Sequence, residues 1–142
     1  MILRSANKVL VVGLLLCAFA SREVEAYAFV GKWQRKTEAL EAKLNTSAPA
    51  SVIPEIDQTI NDVIALGELQ EMPSMLGPLL VLRAVASAQV GDERGAGWDW
   101  SVAQAIDPGL TNADLSRFGE AGVLLAKNRL DSETLARAKA AK

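Results

Sequence analysis

The segment 76–90 (LGPLLVLRAVASAQV) restricts the fold more than any other part of the chain, because Arg83 and Gln89 are its only strongly polar residues. A helix that is apolar on nearly every side is stable in water only when other elements cover it. The segment is too short to span a membrane, which takes about 20 apolar residues, and Gly77 and Pro78 interrupt it. We therefore expect a central helix that other helices enclose.

Two helices are predicted before this segment. The first spans residues 27–44, and its apolar stripe consists of Phe29, Trp33, Leu40 and Leu44. The second begins near Pro54, since proline is favoured at the first helical position, and its apolar face consists of Ile56, Ile60, Val63 and Ile64. The sequence Met72-Pro73-Ser74 is expected to break the chain before the central helix.

Further helices are predicted after the central one. Gly91 ends the central helix in a left-handed cap, and the next helix spans 95–106. Another begins at 111–114, and its apolar face consists of Leu115, Phe118, Val123, Leu124 and Leu125. Asp131 and Ser132 can cap a last, alanine-rich segment. Because no stretch alternates as a strand would, we predict an all-α fold of about five to six helices in antiparallel hairpins.

The N-terminal residues have the layout of a secretory signal peptide. Arg4 and Lys8 precede the apolar run at 9–20 (VLVVGLLLCAFA), and the polar stretch after it ends in small residues at alternate positions. Cleavage after Ala26 or after Ala20 fits this layout. The alternative is an uncleaved membrane anchor, but the apolar run is shorter than the roughly 20 residues of a membrane-spanning helix.

We accordingly expect residues 1–26 to be the signal peptide and residues 27–142 to form one helical domain. The protein is then exported to a bacterial periplasm or secreted, and it touches the membrane only through its signal peptide. Cys17 follows Leu16, whereas the bacterial lipoprotein motif has Gly, Ala or Ser there, so acylation of Cys17 stays an open alternative.

The composition argues against several kinds of chemistry. The chain has no histidine, and Cys17 is its single cysteine. Removal of the signal peptide therefore leaves no disulfide, no Cys/His zinc site and no Cys–His or Ser–His nucleophile pair. It also leaves 12 basic and 15 acidic residues, a net charge of −3, which argues against a nucleic acid partner. We expect no cofactor, no metal and no enzymatic activity.

Small residues, a turn glycine, an aromatic residue and a proline recur at fixed offsets within residues 77–110. They are Ala84, Gly91, Ala96, Trp100, Ala103 and Pro108. In this order and spacing they resemble one tetratricopeptide repeat, in which alanines allow close helix packing and the glycine allows a tight reversal. The resemblance implies helical hairpins stacked as a short α-solenoid.

The rest of the chain follows the family pattern less closely. Arg83 and Ser87 stand where the family has large apolar residues, and residues 31–70 hold no in-register copy. The stretch 98–122 also looks like helical segments of bacterial envelope proteins, including ones that carry TonB-type energy-transducer domains. That second likeness implies a location more than an activity.

The tetratricopeptide resemblance implies a scaffold that binds proteins or peptides through the first helix of each hairpin. Here that face consists of Pro78, Val81, Val85, Ala88 and Gln89. The face is apolar and small, so an apolar or helical segment fits it better than an acidic tail. As an alternative, terminal helices of the same chain cover it.

Trp98 and Trp100 lie about 200° apart around a helix, so they cannot share a face. Trp100 occupies a packing position of the repeat. Trp98 either anchors a partner, as exposed tryptophans do at interfaces, or packs on a neighbouring hairpin, which is the commoner arrangement. A phosphate-binding loop is not indicated, because Trp98 follows Gly97 where a Walker sequence needs Lys and Ser or Thr.

The carboxylates of residues 91–108 are predicted to cap helices and turns, because no second polar group lies near them in sequence. They are Asp92, Glu93, Asp99 and Asp107. Arg83 and Arg117 are the charged side chains expected to be partly buried. Arg117 also stands three residues after Asp114, a spacing typical of a local ion pair.

Two hypotheses for the function follow. The first is a small exported helical module that binds another envelope protein. The second is a periplasmic helical carrier or chaperone that binds an apolar ligand between its helices. Trp98 separates them, because an exposed Trp98 favours a protein interface and a Trp98 that lines an enclosed cavity favours a carrier.

Overall fold

A computed structural model describes residues 28–67 and 72–129, and all regular structure in these two ranges is helical. The all-α prediction is thus confirmed for this part of the chain. The α-helices are α1 (28–46), α2 (Pro49–Ile64), α3 (Met72–Gln89), α4 (Glu93–Ile106) and α5 (Gly119–Lys127). Two short 3-10 helices, Pro108–Asn112 and Ser116–Phe118, join α4 to α5. The predicted signal peptide (1–26) and the predicted last segment, from Asp131 onward, lie outside the described residues.

The chain divides into two compact units between Arg35 and Lys36. In the first unit, the rings of Phe29 and Trp33 meet edge to face with their centroids 6.3 Å apart. The ammonium of Lys32 lies 5.7 Å from the centroid of the Trp33 ring. These contacts hold the aromatic part of the predicted stripe together within the first turns of α1.

In the second unit, α3 is the central helix and packs against α2, α4 and α5. Ten of its residues are buried, and they point in nearly every direction around the helix axis. The prediction of an enclosed central helix is therefore confirmed. The buried apolar residues of α2 that belong to this core are Val52, Ile56, Ile60 and Val63.

Two ion pairs join the second half of α1 to α2. Lys36 Nζ lies 3.1 Å from Asp62 Oδ2, and Lys43 pairs with Glu55 about two helical turns further along. The partner positions descend along α2 as the lysine positions ascend along α1. This order is the one expected when two neighbouring helices, here α1 and α2, run in opposite directions.

The predicted start of α2 at Pro54 is wrong, because the helix begins at Pro49 and Pro54 lies inside it. Proline is tolerated in the first helical turn, and here Pro49 takes that position. The Ser51 hydroxyl donates to the Ala48 carbonyl over 2.7 Å at this helix start. At the other end, Ile64 is exposed although the apolar pattern assigned it to the core.

The predicted break at Met72-Pro73-Ser74 is also wrong, since α3 begins at Met72. Pro73 again falls in a first turn, where its missing N–H costs no helical hydrogen bond. Gly77 has a packing role, because a Cβ built there would lie 2.9 Å from Leu110 Cδ1. The absence of a side chain lets the segment after α4 cross α3 at this point.

The helix predicted to begin at 111–114 starts later, at Gly119, after the two 3-10 helices. Local side chains favour the tight turns: Asp107 accepts from the Gly109 N–H, and Asp114 accepts from the Ser116 N–H over 2.9 Å. Hydrogen bonds from Ser116 lower the pKa of Asp114 below its usual value. The chain thus turns through residues 107–118 before a regular helix resumes.

The apolar face predicted for this last described region is only partly buried. Leu115, Phe118 and Leu125 are core residues, whereas Val123 is exposed and Leu124 is half-buried. The absence of a side chain at position 122 explains how the region folds back on itself, since a Cβ built there would overlap the Leu115 carbonyl oxygen.

Gly122→Ala is expected to destabilise the protein because its methyl group must displace the Leu115 backbone. Overpacking of this kind costs about 1–3 kcal/mol in the free energy of unfolding. Gly97→Ala in α4 is the matched control: no atom lies within 4 Å of its added Cβ, so we expect a gain of up to about 1 kcal/mol from helix propensity. Urea unfolding followed by circular dichroism measures both, and equal effects would contradict the close approach at Gly122.

Candidate interaction surface on α4

A two-part cap builds the turn between α3 and α4. Gly91 has φ +86°, as predicted, and the N–H groups of Gly91 and Asp92 donate to the carbonyls of Ala88 and Ser87 over 3.1 and 2.9 Å. This pattern is a Schellman motif, which satisfies the last carbonyls of α3. The Asp92 carboxylate then accepts from the Gly95 N–H over 2.9 Å and caps α4, as its sequence position predicted. The connection between α3 and α4 is therefore very short, and hydrogen bonds fix the helix end on each side of it.

The inner face of α4 packs on α3 through the residues that carry the repeat pattern. These residues are fully buried: Ala84, Ala96, Trp100 and Ala103. Alanines at the crossing let the helix backbones approach, and Trp100 fills the space that remains. The geometry of this crossing is compatible with the packing that the sequence pattern implies.

The predicted cap or turn role of Asp99 is wrong, because the buried Asp99 carboxylate forms an ion pair with the part-buried Arg83. Its two carboxylate oxygens accept from Nε and Nη2 of Arg83, each over 2.7 Å, and the Asp99 side chain is only 8% exposed. Arg83 Nη1 also donates to Asp57 Oδ1 over 3.0 Å. The hydrogen bonds to Asp99, and next to Asp57, raise the pKa of Arg83 although burial opposes this.

This cluster of Asp57, Arg83 and Asp99 joins α2, α3 and α4 at one point. It explains why a charged residue occurs in a helix that is otherwise apolar on nearly every side, at a position where the repeat pattern has a large apolar residue. One carboxylate cannot satisfy all five guanidinium N–H groups, so the second acid takes up a further donor. The sequence contained one signal for the cluster, the isolated Arg83 itself, but nothing in the spacing identified its partners.

The outer face of α4 is open to solvent around Trp98, whose side chain is 71% exposed. Trp98 and Trp100 thus lie on different faces, as predicted, and Trp98 does not pack into the core of the described residues. A shallow groove of about 580 Å³ runs beside the indole. It is lined by Asp92, Arg94, Gly95, Gly97, Trp98 and Ser101. The sequence identified Trp98, but not the groove that the small residues next to it create.

The candidate binding face of α3 is largely covered. Val81 and Val85 are buried, Pro78 and Ala88 are half-buried, and Gln89 is exposed. The physical reason is that α3 is enclosed by α2, α4 and α5, so its apolar side chains are needed in the core. Of the candidate residues, Trp98 and Gln89 are the exposed ones, so a macromolecular partner can contact them.

Within residues 28–67 and 72–129, no group of Cys, Asp and Glu side chains could hold a metal ion. No helix in the same ranges is long and apolar enough to cross a membrane. Comparison of the chain with known protein families, with curated proteins and with solved structures finds no match. The role of the surface around Trp98 must therefore be inferred from its own geometry.

Arg83→Met is expected to lower the free energy of unfolding by about 3 kcal/mol or more, because it leaves the Asp99 carboxylate buried without its cation. Lys36→Met is the matched control. It breaks the 3.1 Å pair with Asp62, in which both side chains are more than a third exposed, so it should cost about 1 kcal/mol or less. Urea titration of both variants tests this, and similar losses would mean that the burial of Asp99 gives its ion pair no special role.

Proposed function

We propose that this chain is a small exported helical module, built from tetratricopeptide-like hairpins, that binds another protein of the cell envelope and catalyses no reaction. The observation that carries the proposal is the exposure of Trp98 on a helix that is packed firmly on its other side. A tryptophan in water leaves a large apolar area unburied, and at protein interfaces such side chains contribute much of the binding energy.

The surroundings of Trp98 support an interface. Asp92 caps its helix, and Trp100 and the Arg83–Asp99 pair hold the opposite face of the helix against α3. Binding therefore costs little conformational entropy, because the helix is already ordered. Small residues leave room beside the indole for a partner side chain. Glu93 and Arg94 place one charge of each sign at the exposed start of α4, which supplies a polar rim.

A Trp98 that lined an enclosed cavity would favour the carrier hypothesis, whereas its exposed position favours the interface. Export is proposed from the signal-peptide layout of residues 1–26. A non-enzymatic role is proposed because the sequence has no histidine and no thiol beyond Cys17. The buried alanines and Trp100 at the α3–α4 crossing support the tetratricopeptide-like arrangement.

Photocrosslinking in intact cells tests the interface. A photoreactive phenylalanine analogue at position 98 is expected to give a discrete crosslinked product with a second protein. The same analogue at position 123 is the matched control, because Val123 is also a large exposed apolar residue, 54% accessible, on a different helix. Equal products at both positions, or none at 98, would contradict a specific surface at Trp98.

Processing of the N-terminus tests export separately. The mature protein is expected to begin at Tyr27, or at Ser21 if cleavage follows Ala20, and intact mass spectrometry of the purified protein distinguishes the two. Ala26→Asp should block cleavage after position 26, because the processing site requires a small residue there, and should leave cleavage after Ala20 unaffected. A purified chain that still carries residues 1–20 would contradict the signal-peptide prediction.

A further inference from the structure

A smaller cavity lies between α1, α3 and the segment that follows α4, and it has a volume of about 160 Å³. Its apolar lining comes from Pro78, Val81, Leu82, Leu110, Ala113 and Leu115. Two of these, Pro78 and Val81, belong to the α3 face that the repeat pattern assigned to ligand binding. The cavity therefore borders the part of that face around Pro78 and Val81.

The cavity runs from the core to an ion pair at the surface. Leu82 and Leu115 are buried at its inner end, whereas the Arg117 side chain is 55% exposed and that of Glu41 is 26% exposed. Arg117 Nε and Nη2 donate to the two Glu41 carboxylate oxygens over 2.7 and 3.3 Å. Glu41 and Arg117 both line the cavity, so this ion pair borders it at the protein surface.

Two expectations for Arg117 are corrected by this contact. Arg117 is exposed, although it was expected to be partly buried, because its guanidinium reaches across the surface to Glu41. The predicted local pair with the Asp114 carboxylate is present only as a longer-range attraction, in which the charge of Arg117 helps the hydrogen bonds from Ser116 to lower the pKa of Asp114. Arg117 Nη1 donates to the Asp114 main-chain carbonyl instead, over 3.1 Å.

The outer wall of the cavity is held in place from both sides. Gly77 lets Leu110 approach α3, and the Arg129 guanidinium donates to the carbonyls of Thr111 and Ala113, the latter over 2.8 Å. These contacts keep the wall from collapsing into the space. An apolar ligand in this space would bury its own apolar surface and that of the lining, which stabilises the folded protein.

We propose that this cavity binds a small apolar molecule, of the size of one six-membered ring or a short branched hydrocarbon, beneath the Glu41–Arg117 ion pair. An apolar cavity of about 150 Å³ in another protein stays dry and accepts benzene or xenon, so the volume and lining fit this class of ligand. A charged ligand does not fit, because Glu41 and Arg117 already pair with each other and the rest of the lining, within the described residues, is apolar except for Thr37. The site is separate from the proposed interface at Trp98.

The test uses benzene as the probe, and the protein is purified in the form that the cell produces after processing. Methyl signals of Val81, Leu82, Leu110 and Leu115 in carbon–proton NMR spectra should shift saturably, and the unfolding temperature should rise by several degrees at saturation. Val123→Ala is the control variant. Because Val123 is exposed and does not line the cavity, this variant should bind benzene as the unmodified protein does.

Ala113→Leu is designed to fill the cavity and should weaken benzene binding at least tenfold. If Ala113→Leu fails to fold, Val81→Leu is used in its place, because it fills the same space from α3. Glu41→Gln should leave the affinity nearly unchanged but speed benzene exchange, measured by NMR line broadening, because it replaces the ion pair beside the cavity with a weaker hydrogen bond to an uncharged amide. Absence of saturable shifts in the unmodified protein, or equal affinity in the filling variants, would overturn the proposal.

Discussion

The enclosure of α3 governs how the other helices of the described core are placed. A helix whose buried residues point in nearly all directions needs neighbours on several sides, and α2, α4 and α5 supply them. Each neighbour must then direct its own apolar stripe inward, which limits how it is rotated about its axis. The single charge of α3, Arg83, is accommodated only because Asp99 and Asp57 approach it from two of these neighbours.

This arrangement gives α4 two faces with different roles. Its inner face is occupied by Ala96, Trp100, Ala103 and the Asp99 carboxylate, all of which hold it against α3. Its outer face keeps Trp98 in solvent beside small residues. Because the inner face is closely packed and Asp92 caps the helix, the exposed indole is presented from a well-held position. Such an apolar anchor is the feature that an interface needs, and it is the basis of the proposed function.

Several boundaries show where sequence patterns mislead. Pro54 and the Met72-Pro73-Ser74 sequence were expected to mark a helix start and a break, yet both lie within helices. Proline disfavours an interior helical position by about 3 kcal/mol, a cost that burial of the apolar residues around Pro54 can outweigh. Conversely, the turns at 107–118 delay α5, because Asp107 and Asp114 satisfy backbone N–H groups in short turns and so compete with a helix.

Local chemistry was enough to predict the all-helical class, the central place of segment 76–90, the left-handed Gly91 and the separation of Trp98 from Trp100. Each of these features depends either on hydrophobic periodicity or on the conformational preference of one residue. Periodicity and conformational preference both act over only a few residues. The pairing of Asp99 with Arg83, the pairing of Arg117 with Glu41 and the cavity beside Pro78 and Val81 became apparent only in the folded chain. The two ion pairs join residues that are 16 and 76 positions apart in the sequence. The cavity depends on how well side chains from distant parts of the sequence fill the space between them. Packing of that kind follows from the relative placement of whole helices, which no short stretch of sequence specifies.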